Sequence, residues 1–147
     1  MSEEQNNLNE GAESATAGNG ANAGKTILVA DDESHILHVV SLKLRNAGFR
    51  VVTARDGAEA FEMALQEKPD LVITDYHMPQ LSGLELCQKL KNDPATKSIP
   101  AIMLTARGYH LEPHDTEQSG VLRMLSKPFS PRHLLATVNE VLQAAAA

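Results

Sequence analysis

Leu71-Val72-Ile73-Thr74-Asp75 is a short apolar run that ends in a carboxylate, and Tyr76-His77-Met78-Pro79 breaks it at once. A run this short, closed by turn formers, reads as a strand buried on both faces of a parallel sheet. In such sheets ligands bind beyond the carboxyl ends of the strands, so Asp75 is aimed at a binding crevice. An earlier run, Thr26-Ile27-Leu28-Val29-Ala30, ends in Asp31-Asp32. Carboxylates gathered from two strand ends repel one another, and each raises the others' proton affinity unless a cation sits among them.

Outward from these strands the chain alternates strand and helix. Ser34 is placed to cap a helix with Ile36, Val39, Val40 and Leu44 inward, and Gly48 is its stop. Residues 50–54 form a second strand, and Asp56 with Glu59 forms a capping box for a helix turning Ala58, Phe61, Ala64 and Leu65 inward. Pro69 closes that helix. After the Asp75 strand, Ser82 and Glu85 repeat the signature ahead of a helix buried through Leu86, Cys87 and Leu90, and Asn92-Asp93-Pro94 turns the chain. Residues 101–105 and 121–126 are the fourth and fifth strands. Between them, the segment from Arg107 to Ser119 has poor periodicity, although Pro113 suits a helix's first turn. Ser130 and Pro131 open a last helix with a stripe of Leu134, Leu135, Val138, Val141 and Leu142.

Five strands alternating with five helices predict an α/β, doubly wound, five-stranded parallel sheet with helices on both faces. Of the two common strand orders, 2-1-3-4-5 sets strands one and three side by side at the switch point. That order gathers Asp31, Asp32 and Asp75, and it puts Thr105 and Lys127 at the same edge.

With 147 residues the chain favours one domain. Its 19 acids against 13 bases give a net charge of -6, and the first 24 residues hold four of the acids (Glu3, Glu4, Glu10, Glu13) and no base. Residues 1–24 lack the apolar groups to offset ordering entropy and read as a disordered acidic tail, with the domain at 25–143 and a short tail at 144–147. No basic field argues for nucleic acid or an anionic membrane, and no apolar run is long enough to span a bilayer. A single cysteine and the lack of a secretory leader pattern point to a cytoplasmic protein.

The cluster has a definite chemistry. Hard oxygen ligands with open positions suit Mg²⁺, which keeps waters and shares its shell with phosphate. A Lys supplies a point charge for one phosphate oxygen, and a Thr hydroxyl can donate to another. A carboxylate left free of tight ligation can attack phosphorus, which is phosphoryl transfer with an aspartate as nucleophile. Taken singly, each residue has an ordinary reading: Asp as cap or turn, Thr as a strand residue, Lys as a solvated charge. Together, at four strand ends on one edge, they point to a shared site.

Asp31-Asp32, Asp75, Met78-Pro79, Gly83, Thr105-Ala106 and Lys127-Pro128-Phe129 resemble, in identity and in order, the receiver domain of two-component response regulators, a flavodoxin-like fold. The resemblance covers about residues 25–143. It implies that Asp75 accepts a phosphoryl group from a sensor histidine kinase or a small phosphodonor, with Mg²⁺ (or Mn²⁺) as cofactor. Asp32 would then ligate the metal directly, Asp31 mainly through water, and Asp75 and the His77 backbone carbonyl would complete the protein ligands. Thr105 and Lys127 would hold the phosphoryl oxygens. The chain would catalyse its own phosphorylation and dephosphorylation without being a turnover enzyme. The Lys127-Pro128 bond is expected to be cis on the same ground. His77 and Arg107, two residues past Asp75 and Thr105, fall where the family places modulators of phosphoryl lifetime. One departure stands out: the family's switch pairs the site Thr, here Thr105, with an aromatic residue three before the Lys, and here that position is Met124.

Rival readings are weaker. A haloacid-dehalogenase-type phosphohydrolase wants a second acid where His77 stands, and no glycine-rich nucleotide loop follows the first strand. A pseudo-receiver kept only as a binding module is opposed by the complete set of site residues. Only four Ala follow Gln143, so the expectation is a single-domain receiver without an output domain. It would act by changing which downstream protein it binds, or as a relay intermediate passing phosphate to a histidine phosphotransfer protein, with a phosphorylation-linked homodimer as a further partner state. His110 and His114 read as a surface pair, and Cys87 as core.

Overall fold

The computed structural model describes residues 24–106, 112 and 117–146. Five strands, β1 (Thr26–Ala30), β2 (Arg50–Ala54), β3 (Leu71–Asp75), β4 (Ala101–Thr105) and β5 (Val121–Ser126), form one parallel sheet in the order 2-1-3-4-5. The described helices are α1 (Ser34–Asn46), α2 (Gly57–Glu67), α3 (Gly83–Asn92) and α4 (Pro131–Ala146). The tail and most of the segment between β4 and β5, including Arg107, His110, Pro113 and His114, lie outside the described residues; helical residues 117–119 lead into β5.

Every residue of β1, β3 and β4 is buried, as apolar runs in the middle of a covered sheet require. The two-residue alternation of a strand divides them between two cores. Ile27, Val29, Ile73, Ile102 and Leu104 pack with Leu37, Val40 and Leu44 of α1 and Leu134, Val138 and Val141 of α4. Leu28, Ala30, Val72 and Met103 pack on the other face with Ala60 and Ala64 of α2 and Leu86, Cys87 and Leu90 of α3. The outer strands β2 and β5 are only partly buried. In β5 the register slips by one, Ala101 pairing with Val121 and Ile102 with Arg123, so Leu122 is left over and half exposed.

Several local expectations change. The N-cap of α1 is Glu33, with no side-chain cap bond, and Ser34 lies inside the helix. Its inward face uses Leu37 and the buried Ser41, while Ile36 and Val39 are half-buried. In α2 the buried residues are Gly57, Ala60 and Ala64, with Ala58 exposed; at Gly57 a Cβ would lie 2.6 Å from the Leu81 carbonyl oxygen, so only glycine fits there. Asp56 accepts from the Glu59 amide at 2.8 Å, but the Glu59 carboxylate takes the Arg55 amide instead of completing the box. At Ser82 and Glu85 the box is complete. The last helix continues through Ala146, as strong helix formers at 144–146 favour. Among the described residues no helix is long and apolar enough to cross a membrane.

The junction from β3 to α3 fixes where Asp75 points. The Gly83 amide donates to the Tyr76 carbonyl at 2.8 Å, and a Cβ on Gly83 would lie 2.1 Å from the Asp75 carbonyl oxygen. Backbone on backbone cannot give way cheaply. Gly83→Ala is therefore expected to destabilise the fold by more than about 2 kcal/mol, read as a lower urea midpoint at unchanged slope, where an ordinary helical Gly→Ala change would stabilise.

Candidate functional site

Asp31, Asp75, Thr105 and Lys127 lie at the carboxyl ends of four strands, so the sheet builds the site. Asp31 follows β1 and is fully buried; its Oδ1 accepts the Glu33 amide at 2.9 Å and its Oδ2 accepts Lys127 Nζ at 3.2 Å. Asp75 closes β3 and is almost fully buried, with Oδ1 3.0 Å from Lys127 Nζ. Glu33 Oε1 lies 3.1 Å from the same nitrogen. Asp32 is exposed. Carboxylate oxygens of Asp31, Asp32 and Asp75 lie within 4.8 Å of one another. Thr105 closes β4; its carbonyl accepts the Lys127 amide at 2.8 Å, while its buried Oγ1 has no partner. The Lys127-Pro128 peptide is cis, as expected, and Phe129 packs against the core beneath.

Burial pushes the Asp31 carboxyl above its ordinary pKa, against the Glu33 amide and with help from the Asp75 charge. Burial likewise pushes Asp75 up, opposed by its hydrogen bond to Lys127 and reinforced by the Asp32 charge. Burial alone would lower Lys127, but its bonds to Asp75 and Glu33 outweigh that and hold the ammonium above its usual range. Ion pairing should lower an acid, yet both buried acids are raised. Burial outweighs the Lys127 contacts at both, and the neighbouring carboxylate, Asp75 for Asp31 and Asp32 for Asp75, adds to it.

Such a site fits a divalent cation. The donors are hard oxygens, two of them on buried acids with unfavourable charge, and one acid faces solvent. At the end of β4, on the same edge of the sheet, the buried Thr105 hydroxyl has no partner, although buried hydroxyls are almost always bonded. His77, Asp32, Glu33, Asp75, Ala106 and Lys127 line a cleft of about 290 Å³. The His77 ring meets Tyr76 edge-on at 4.8 Å. Met124 is half-buried, paired with Met103 across the sheet and packed on the α2–α3 core. Burial pushes the Cys87 thiol up to about 12, which leaves it an inert core residue.

Two residues of the site were not legible beforehand. Glu33 reaches Lys127, and Arg55 donates to the Asp32 carbonyl at 3.1 Å and to Ser34 Oγ at 2.7 Å, tying down the loop that carries both acids. Arg55 follows β2 directly, so the strand-end argument applied to that strand also would have found it.

The parallel doubly wound sheet sets an acid cluster and an adjoining lysine at its switch point, where open α/β sheets bind ligands. Residues 27–139 match the response regulator receiver domain. The phosphate regulon transcriptional regulatory protein PhoB of Pseudomonas aeruginosa is 39% identical over 120 residues, covering 82% of this chain and 52% of that protein. The alkaline phosphatase synthesis transcriptional regulatory protein PhoP of Bacillus subtilis is 38% identical over 119 residues, covering 81% and 49%. The structure of the chemotaxis response regulator CheY4 of Vibrio cholerae superposes with a TM-score of 0.74 at 33% identity, over 80% of this chain and 98% of that one. The chain belongs to the response regulator receiver family of two-component signalling. It spans about half the length of the curated relatives it matches. Receiver domains in general bind Mg²⁺ at an acidic pocket and work with histidine kinases or phosphotransfer proteins.

The raised carboxylates have a consequence for stability. A group whose folded pKa lies above its unfolded value binds protons more readily when folded, so its charge opposes folding above the folded pKa, and the opposition fades as pH falls through it. Without divalent cation, Asp75→Asn is expected to show a higher urea midpoint than the wild type at neutral pH. The gap should narrow as pH falls toward about 4, and Mg²⁺ should raise the wild-type midpoint at neutral pH.

Proposed function

We propose that this chain is a phosphorylation-dependent signalling switch in which Asp75 accepts a phosphoryl group from a sensor histidine kinase or a small phosphodonor, altering which protein it binds. The observation that carries the reading is Lys127 Nζ at 3.0 Å from Asp75 Oδ1 in the acid cluster, with the unpartnered Thr105 hydroxyl at the end of the adjoining strand. Residues 25–143 are the receiver unit in this reading.

In the transfer, an Asp75 oxygen forms a bond to phosphorus. The bond from phosphorus to the donor's imidazole nitrogen, or to the acetate oxygen of acetyl phosphate, breaks, and its electron pair leaves with that group. Lys127 moves its hydrogen bond from Asp75 to a phosphoryl oxygen, and Thr105 Oγ1 donates to another. Asp31, Asp32, Asp75 and the His77 carbonyl would hold Mg²⁺, which supplies charge neutralisation for the incoming phosphoryl oxygens. Both Asp31 oxygens already accept hydrogen bonds, which supports contact through water for that residue. Asp32, exposed and fixed through its backbone by Arg55, suits direct ligation. His77 lines the cleft where water would attack the acyl phosphate, and Arg107 is proposed to join it in setting the phosphoryl lifetime. Hydrolysis returns phosphate and the free Asp75 carboxylate.

Incubation with acetyl phosphate and Mg²⁺ should add one phosphoryl mass to the intact protein. Chelation should abolish the label and Asp75→Asn should not acquire it; full labelling of that variant would overturn the assignment.

Met124 bears on how the state is read out. Its flexible thioether adapts to gaps where an aromatic ring would choose between two packings. Met124→Tyr is expected to sharpen the conformational response, seen as larger and more discrete amide shift changes around β4 and β5 on activation by a phosphoryl mimic, at an unchanged phosphorylation rate.

A further inference from the structure

Glu33 stands at the N-cap of α1, yet its side chain makes no capping bond. Its Oε1 instead reaches Lys127 Nζ at 3.1 Å, across 94 residues of sequence. An ammonium has three N–H donors, and Lys127 Nζ has three carboxylates around it: Asp31 at 3.2 Å, Glu33 at 3.1 Å and Asp75 at 3.0 Å. Two of those partners are buried and belong to the acid cluster. Glu33 does not belong to it, and its side chain is 59% exposed. It also lines two cavities, the acid cleft and an adjoining pocket of about 740 Å³ whose walls include Ile36, Val39 and Phe129. It therefore stands at the mouth of the site.

An exposed pair of this kind adds little to stability, so its effect falls on what enters the cleft. A phosphodonor needs a hydrogen bond from Lys127, and Glu33 holds one of the three. A donor also brings negative charge toward a mouth that already carries this carboxylate, and like charges slow association in proportion to the charge carried.

Resting on the reading of Asp75 as phosphoacceptor, we propose that Glu33 is a donor-selecting residue. Its carboxylate occupies the third donor of Lys127 and disfavours free dianionic phosphodonors relative to those of lower charge. It touches Lys127 rather than the reacting atoms, and it acts through that contact and through its charge.

The test compares acetyl phosphate, a dianion at neutral pH, with phosphoramidate, a monoanion. Phosphorylation rates of the whole chain at saturating Mg²⁺ are followed by intact mass in wild type, Glu33→Gln and Glu33→Asp, at low and at high salt. Glu33→Gln should raise the acetyl phosphate rate about threefold or more at low salt and the phosphoramidate rate less. The difference should shrink at about 1 M salt, where charges are screened within about 3 Å. Glu33→Asp, which keeps the charge, should hold the wild-type donor ratio more closely. A Gln variant that shifts both donors by the same factor at both salts shows only a loosened loop and overturns the proposal, as do unchanged or slower rates. If neither donor labels wild-type Asp75, the phosphoacceptor reading beneath it fails as well; labelling with an unchanged donor ratio overturns the Glu33 role alone.

Discussion

One ammonium serving three carboxylates is the constraint on which the site depends. Lys127 lies at the end of β5, and its partners come from the ends of β1 and β3 and from the start of α1. Burying Asp31 and Asp75 without that cation would leave charges the interior cannot solvate. With it, the charge is still only partly balanced, and both acids are held above their ordinary pKa. The fold thus keeps a localised excess of negative charge at one edge, of the kind that gives a cation something to relieve.

What holds that excess in place is the sheet. β1 and β3 are neighbours in register, Ala30 opposite Thr74, so the residues that follow them arrive together. Tyr76 then donates to Leu104 and Lys127 to Thr105, which brings the ends of β4 and β5 to the same line. Alternate residues of each central strand belong to different cores, so the strand ends are anchored from both faces. Helix packing alone could not fix a lysine and three acids to within hydrogen-bonding distance; five paired strands can.

The central strands and the strand-end acids were legible in the sequence because fully buried parallel strands leave a clear mark, about five apolar-rich residues closed by a turn, while the strand order followed from the small set that such chains adopt. Helix faces were less legible. Ala58 reads as inward but is exposed, and Ala60 is buried, because alanines two apart carry the same hydrophobic signal and only packing in the core tells them apart. Ser34 looks like a cap, but its hydroxyl accepts from Arg55 and the cap position falls to Glu33. Glu33 and Arg55 escaped notice because their roles rest on long side chains bridging loops far apart in sequence, and no periodicity encodes such a bridge.

The slip of register at Leu122 bears on self-association. Among the described residues β5 is an open edge of the sheet, with unpaired backbone groups that could template the strand of another molecule. The leftover residue interrupts the even spacing of those groups and increases the local twist, and the exposed Arg123 beside it places charge on the same edge. At the opposite edge β2, whose register is regular, begins with the exposed Arg50, paired with Glu67 at 2.8 Å. A sheet whose middle strands are wholly buried thus carries irregularity and charge at its margins, features that disfavour the joining of separate sheets edge to edge.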